Sequence, residues 1–276
     1  MSWEYQFLKR QLKLPDNRVL RAFEDYCVGS WQTLQRLEWS VKVRGDRTID
    51  DRFVHVCRIT SPAGHERVRH LLQTIGHEPR FWPIDSKTWE QQVLQKCTDA
   101  VVGYAGGQER GIAALKVYYG IVGCPRDLFE RCIRPVMPDF PDARPPGTPI
   151  VGICGIMPLD GAPKFRVYLF YQGLELSRRD VRDYLCRTLQ IPTLPQHPRI
   201  GVSWKEEGAE DLVYLKLAPG RAAIRSTLTR ISARQPLLAQ RGGQITWCAL
   251  PLTHLRQPSP FERLPSEATV YVDLPR

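Results

Sequence analysis

Hydrophobic and polar residues alternate along ten short segments of this chain, and such alternation predicts β-strands. The segments come in pairs whose starts lie about fifty residues apart, which indicates five hairpins. The predicted strands are 36–44 and 51–59, 99–105 and 112–122, 149–156 and 164–171, 199–205 and 211–217, and 244–249 and 268–273.

The stretches between these pairs carry caps or first-turn prolines that are typical of helices, so an α-β-β-α order repeats. Asp16 is expected to cap a helix from Asn17 to about Thr33. Because the repeat continues through the proline-rich stretch 138–149, we interpret that stretch as a loop within a single domain, 1–276. The other helices are expected after Ser61-Pro62, Ser86, Cys124-Pro125, Ser177 and Pro219-Gly220.

The predicted strands have one apolar face and one polar face. Helices that cover the apolar faces leave the polar faces turned the other way, and a sheet of this many strands tends to curl and close. The expected fold is therefore α+β, a ten-stranded antiparallel barrel surrounded by helices, with a ligand in a polar lumen. The alternative is an open sheet whose polar face meets water. The first strand shows the pattern most strictly, with Arg36, Glu38, Ser40, Lys42 and Arg44 against Leu37, Trp39, Val41 and Val43.

The composition bounds the class of protein. The chain has 276 residues with 42% hydrophobic content, and it contains neither a long apolar run nor an apolar leader at its polar N-terminus. A cytoplasmic protein that neither crosses nor binds a membrane is expected. The eight cysteines form no CxxC pair and are interpreted as reduced thiols, and no metal site built by the protein is expected.

The net charge of +10 favours an anionic partner, unless it serves only solubility. The positions of the cations favour a partner inside the barrel. Three strands each place a cation and a tyrosine two residues apart on the polar face, as Lys116-x-Tyr118, Arg166-x-Tyr168 and Tyr214-x-Lys216. Cations that converge on one cavity repel unless an anion binds there, and a diphosphate suits them. Tyrosine faces around it suit the shielding of an allylic carbocation from water.

The first hairpin reads RLEWSVKVRGDR followed by DRF, and it resembles the L-E-x-S-x-K pattern and later R-F of the cyanobactin peptide prenyltransferases. Members of that family have the antiparallel barrel of the α-β-β-α (ABBA) prenyltransferases. Further segments lie where the family has its barrel strands or just upstream of them: FEDYC, LKVYY, FRVYLFY, LVYLKL, ITWCAL and ATVYV.

The resemblance implies transfer of a dimethylallyl or geranyl group from its diphosphate to a linear or macrocyclic peptide, in natural-product biosynthesis. It implies Glu38 as the general base and Mg²⁺ bound through the diphosphate. A monomer without a nucleic-acid partner is expected. The implied diphosphate ligands are Arg52, Lys116, Arg166 and Lys216, and the implied carbocation shield is Tyr118, Tyr168, Tyr214 and Tyr271.

The resemblance also locates the isoprenyl pocket. Either Ile200 or Gly201 is expected at the position where a bulky residue closes the pocket to longer chains. Neither residue is aromatic, so tolerance of geranyl diphosphate is expected, unless Trp204 or Trp247 fills the space. We count Trp247 among the candidate pocket residues.

The sequence is also compatible with two other classes of protein. The chain could be an ABBA enzyme for small aromatic molecules, or a basic nucleic-acid-binding protein that uses interleaved aromatic residues. Glu38 could simply pair with Lys42 on the same strand face, and any one of the tyrosines could serve packing alone.

Overall fold

The computed structural model contains the ten strands that the alternation predicts. The described residues are 3–30, 34–44, 47–58, 62–77, 97–106, 113–122, 133, 145–147, 149–194, 199–205, 208–216, 244–257 and 267–274. The strands are β1 Leu34–Arg44, β2 Arg47–Arg58, β3 Cys97–Ala105, β4 Ala114–Val122, β5 Ile150–Pro158, β6 Lys164–Gln172, β7 Arg199–Lys205, β8 Gly208–Lys216, β9 Gln244–Pro251 and β10 Glu267–Leu274.

The strands form a closed barrel in which each strand pairs with its neighbours in sequence and β10 returns to pair with β1. Every pairing is antiparallel. Closure leaves no sheet edge exposed. The predicted ten-stranded antiparallel barrel is confirmed, and the alternative of an open sheet is wrong.

Helices within the described residues cover the outer face of the barrel. The helix at Arg18–Gly29 buries Val19, Leu20 and Phe23 completely. These side chains belong to one core with outward-facing strand residues such as Trp39 and Leu115. Burial of these apolar faces under helices is the reason that the polar faces turn inward. The helices are α1 Trp3–Gln11, α2 Arg18–Gly29, α3 Pro62–Thr74, α4 Arg179–Leu189 and α5 Leu252–Leu255, with a 3₁₀ helix at Gly173–Ser177.

The start of α2 differs from the prediction. Asn17, not Asp16, is the cap, because its side-chain oxygen accepts a hydrogen bond of 2.8 Å from the Leu20 amide. Asp16 instead lies 3.5 Å from the guanidinium of Arg21. The helix ends at Gly29, earlier than the sequence indicated.

Two other expected helices are confirmed, since α3 begins at Pro62 and α4 follows Ser177. The helix α1 was not predicted, and it is held by the ring of Tyr5 against Phe53 at 4.9 Å between centroids. The helices expected after Ser86, Cys124-Pro125 and Pro219-Gly220 lie outside the described residues, as does most of the stretch 138–149.

None of the described helices is long and apolar enough to cross a membrane. Among the cysteines of the described part, Cys27, Cys154, Cys186 and Cys248 are not joined in disulfides.

Candidate active site

The inner face of the barrel carries its own cluster of side chains, separate from the helix-covered core. Cys154, Tyr168, Tyr214 and Ala249 form the buried part of this cluster. The partly buried residues packed against it are Tyr118, Ile156, Phe170, Leu212, Trp247 and Tyr271. The barrel therefore has an aromatic interior, as the sequence predicts.

Four inward-facing tyrosines lie at one level of the lumen, and we call them the tyrosine layer: Tyr118, Tyr168, Tyr214 and Tyr271. The ring of Tyr168 lies 5.7 Å from that of Tyr118 and 5.4 Å from that of Tyr214, between centroids. The phenol of Tyr118 is close enough to interact electrostatically with Tyr214 and Tyr271. Rings from four different strands thus converge on the interior.

The phenol of Tyr118 is held neutral. Burial is the largest cause that raises its pKa well above the ordinary value of 10.0, and the neighbouring Cys154, Tyr271 and Tyr214 raise it further. The nearby guanidinium of Arg166 acts in the opposite direction. At neutral pH the layer therefore presents a neutral ring at Tyr118, with Arg166 within electrostatic reach.

Cations lie on one side of the tyrosine layer. In an all-antiparallel barrel the even-numbered strands run in the same direction, and Lys116 and Arg166 each precede their tyrosine by two residues, on β4 and β6. Lys205 lies directly opposite Arg166 in the register of β6 and β7. The guanidinium of Arg52 reaches the Thr269 hydroxyl at 3.5 Å. We call the group Arg52, Lys116, Arg166 and Lys205 the basic side.

Lys216 lies on the other side of the tyrosine layer. It follows Tyr214 on β8, which runs in the same direction as β4, so the layer separates Lys216 from Lys116. Its ammonium lies 6.0 Å from the centre of the Trp247 ring, directly across the β8–β9 pairing. This placement does not support the expectation that Lys216 joins Lys116 and Arg166 around one diphosphate. The strands β4 and β8 run in the same direction, and the order of lysine and tyrosine is reversed between them, so the two lysines lie at opposite levels.

Two carboxylates lie on the same side as Lys216. Glu38 is buried and directly opposite Asp273 in the register of β1 and β10. The Thr246 hydroxyl donates towards Glu38 Oε2 at 3.3 Å, and Asp273 Oδ1 is 3.5 Å from the same hydroxyl. Lys42 forms an ion pair with Glu267 nearer the other end of β1. The lumen is therefore ordered as the basic side, the tyrosine layer and then a level that holds Glu38 and Asp273 together with Lys216.

The residues that the sequence proposed for the isoprenyl pocket lie on different faces of their strands. Gly201 faces the lumen, directly opposite Phe170 on β6, whereas Ile200 and Trp204 face outwards and belong to the helix-covered core. The placement of Ile200 in the pocket is thus corrected, since successive residues of a strand point to opposite faces. Trp247 faces inwards, with its ring 5.7 Å from that of Phe170.

Phe170 occupies the space that the glycine leaves open. A Cβ atom at Gly201 would lie 2.4 Å from Cε1 of Phe170, so the ring rests directly over the glycine backbone. The same ring stacks on Tyr168 at 5.9 Å, with 3° between the planes. The open space expected beside the small residue at 201 is therefore filled by Phe170 of the neighbouring strand.

Several inner-face residues were missed by the sequence reasoning: Phe170, Arg199, Lys205, Thr246 and Asp273. The alternation on β6 already put Phe170 on the polar face, but a search for cations and tyrosines passes over a phenylalanine. The register that brings Asp273 beside Glu38 joins the first and last strands, and that pairing is not visible in local sequence.

Within the described residues, no group of three or more His, Cys, Asp or Glu side chains lies together as a metal site would require. The fold and the site define a closed barrel with a charged and aromatic lumen. No protein-family model matches the chain, and no curated protein matches it. Among solved structures, the chain is similar to the crystal structure of AnaPT from Neosartorya fischeri, with 12% identity and a TM-score of 0.47, covering 99% of this chain and 97% of that chain.

Proposed function

We propose that this protein transfers an isoprenyl group from its diphosphate to a nucleophilic group of a peptide. One observation carries the proposal: a layer of inward-facing tyrosines separates a group of cations from a pair of carboxylates inside one barrel. In this order, the cations suit the leaving diphosphate, the tyrosines suit the carbocation, and the carboxylates suit the proton that the acceptor loses.

The basic side suits the diphosphate. Arg166 and Lys205 are directly opposite each other in the register of β6 and β7, which sets two positive charges side by side at one place in the lumen. Arg52 and Lys116 add two further cations on the same side. Guanidinium and ammonium groups donate charge-assisted hydrogen bonds to phosphate oxygens, so the four residues can hold the diphosphate and stabilise its charge as it leaves.

The tyrosine layer suits the carbocation. When the bond between the isoprenyl carbon and the diphosphate oxygen breaks, both electrons leave with the diphosphate, and an allylic cation remains. Aromatic faces attract cations, most strongly where water is excluded. Because the pKa of Tyr118 is raised, its phenol stays neutral and does not itself capture the cation as a phenolate.

The carboxylates suit the final proton transfer. A nucleophilic atom of the acceptor attacks the allylic carbon, forms the new bond with its lone pair or π electrons, and must then lose a proton. Glu38 is 5% exposed and lies across the tyrosine layer from the basic side, where it can accept that proton as a general base. The hydroxyl of Thr246 donates towards Glu38 Oε2 and helps to hold that carboxylate in place.

The peptide acceptor is supported by the first hairpin, whose Leu37, Glu38, Ser40 and Lys42 follow the pattern of the cyanobactin peptide prenyltransferases. In this proposal Mg²⁺ would be held through the diphosphate rather than by a protein-built site, and it would supply further charge neutralisation there. The donor is dimethylallyl diphosphate, because Phe170 fills the space over Gly201 that a second isoprene unit needs.

Binding of the donor gives an early test. Dimethylallyl diphosphate with Mg²⁺ should raise the melting temperature, since a ligand that binds only the folded state stabilises it. Retention on heparin across a salt series is the matched comparison, because a nucleic-acid-binding protein of this charge should elute only at high salt. No thermal shift together with strong heparin retention would contradict the transferase and favour nucleic-acid binding.

A further inference from the structure

Two cations lie over one indole ring on the inner face. The guanidinium carbon of Arg199 is 5.6 Å from the centre of the Trp247 ring, and the ammonium of Lys216 is 6.0 Å from it. Attraction to the ring face favours each of these placements. Two positive charges that share one ring face attract an anion that approaches that face.

Arg199 is oriented by the strand next to its own. Its guanidinium donates a hydrogen bond to Oε1 of Gln172, which is directly opposite it in the register of β6 and β7. Arg199 begins β7, while Gln172 ends β6 and Lys216 ends β8, so these side chains lie at one rim of the barrel. Gln172 is exposed and the two cations are partly buried, which places them where an arriving molecule meets the lumen.

This group is separate from the basic side. The tyrosine layer lies between Lys216 and Lys116, as the strand directions show. Trp247 contacts Phe170 edge to face at 5.7 Å, and Phe170 stacks on Tyr168, so a continuous row of aromatic rings leads from the rim to the layer. A molecule seated at the rim therefore approaches the layer from the side opposite the diphosphate.

We propose that Arg199 and Lys216, together with the face of Trp247, form a subsite for a carboxylate of the acceptor. The subsite rests on the proposed function, since it is the acceptor that occupies this side of the layer. A guanidinium fork and an ammonium match a carboxylate in geometry and charge, and the indole covers the adjoining apolar part of the acceptor. The carboxylate comes from an Asp or Glu side chain or from the C-terminus of a linear peptide.

Three matched peptide pools, each containing Tyr, Trp, Ser, His and Arg, separate these sources. One has a free C-terminus and no acidic side chain, the second has a C-terminal amide and one Glu, and the third has a C-terminal amide and Gln in place of Glu. With dimethylallyl diphosphate fixed at saturation, one or both acidic pools should give a KM at least about fivefold below that of the neutral pool, the effect of one charge-assisted contact.

Arg199→Gln and Lys216→Gln should abolish that preference and leave the KM for dimethylallyl diphosphate unchanged, whereas Arg199→Lys, which keeps the charge, should retain most of it. Arg182→Gln removes an exposed cation of α4 and is the matched control for net charge. Melting temperatures show that each variant is folded. Equal KM for all three pools, or variants that raise the KM for the diphosphate, would overturn the subsite. Transfer to the neutral pool in that case leaves the proposed function standing, whereas no transfer to any pool refutes both.

Discussion

Glu38 and Asp273 lie directly opposite each other on the first and last strands of the barrel, and the hydroxyl of Thr246 is within 3.5 Å of both carboxylates. The pairing exists only because β10 closes the barrel against β1. It sets two carboxylates beside the tyrosine layer, on the side opposite Arg52, Lys116, Arg166 and Lys205.

Glu38→Gln should lower kcat about a hundredfold or more and leave donor binding unchanged, because the amide cannot accept the proton but keeps the shape. Steady-state rates and calorimetry with a non-hydrolysable donor analogue measure the two effects. Asp273→Asn is the matched control, and it should lower kcat less, since Glu38 remains. Wild-type turnover in the glutamine variant would remove Glu38 as the base, and loss of donor binding would make its role structural.

Lys116 and Lys216 should behave differently, although both follow the same cation-and-tyrosine pattern in sequence. Lys116→Ala should weaken binding of the donor analogue about tenfold or more, because it removes a charge-assisted contact. Lys216→Ala should leave that affinity nearly unchanged, because the tyrosine layer separates it from the basic side. Titration calorimetry of both variants measures the two affinities. Equal losses of affinity would show that Lys216 also binds the diphosphate.

The contrast between these lysines shows what sequence patterns can and cannot supply. Alternation identifies strands and faces, since burial under helices forces a period of two. It therefore predicted the barrel and the inward orientation of Tyr118, Tyr168 and Tyr214. Alternation carries no information about level along the barrel axis, which depends on strand direction. Lys116-x-Tyr118 and Tyr214-x-Lys216 look equivalent in sequence and are opposite in the barrel.

The isoprenyl pocket shows a second limit of the same kind. The glycine at 201 indicated open space, but what fills that space is Phe170 from the adjacent strand, brought there by the register of β6 and β7. Cross-strand neighbours are set by closure and turn lengths rather than by local sequence. Geranyl tolerance stays an untested prediction from the sequence, and the position of the Phe170 ring supports our proposal of the shorter donor instead.

Phe170→Ala should allow transfer from geranyl diphosphate, because removal of the ring opens the space above Gly201 for a second isoprene unit. The ratio of kcat/KM for geranyl to dimethylallyl diphosphate should rise at least about tenfold, a shift on the scale of a buried apolar contact. Leu212→Ala removes another side chain packed on the inner cluster and is the control. A wild type that uses both donors equally well would contradict the role of Phe170.

Tyr171→Phe should make the protein more resistant to alkaline pH. Burial raises the pKa of Tyr171 above its ordinary value of 10.0, with Tyr184, Glu175 and Asp180 adding to the effect, so the folded chain keeps a proton that the unfolded chain loses. The stability that depends on this proton is complete below pH 10.0 and falls as the pH rises further.

The free energy of unfolding from urea titrations at neutral pH and above pH 10.0 should therefore decrease less steeply in Tyr171→Phe than in the wild type. At neutral pH the variant should be at least as stable, because the Tyr171 hydroxyl is buried with no hydrogen-bond partner among the described residues. Identical alkaline slopes in the two proteins would contradict the raised pKa.

Isoprenyl transfer to a peptide can be observed by mass spectrometry of single-turnover reactions. Purified protein, Mg²⁺ and dimethylallyl diphosphate are incubated with a pool of linear and macrocyclic peptides, with the Glu38→Gln variant as the matched control. Peptides that gain one isoprene unit, together with released diphosphate, are expected in the wild-type reaction, and the rate should be about a hundredfold lower in the variant. Unmodified peptides in a reaction where the donor binds but is only hydrolysed, or not consumed at all, would contradict the proposed transfer.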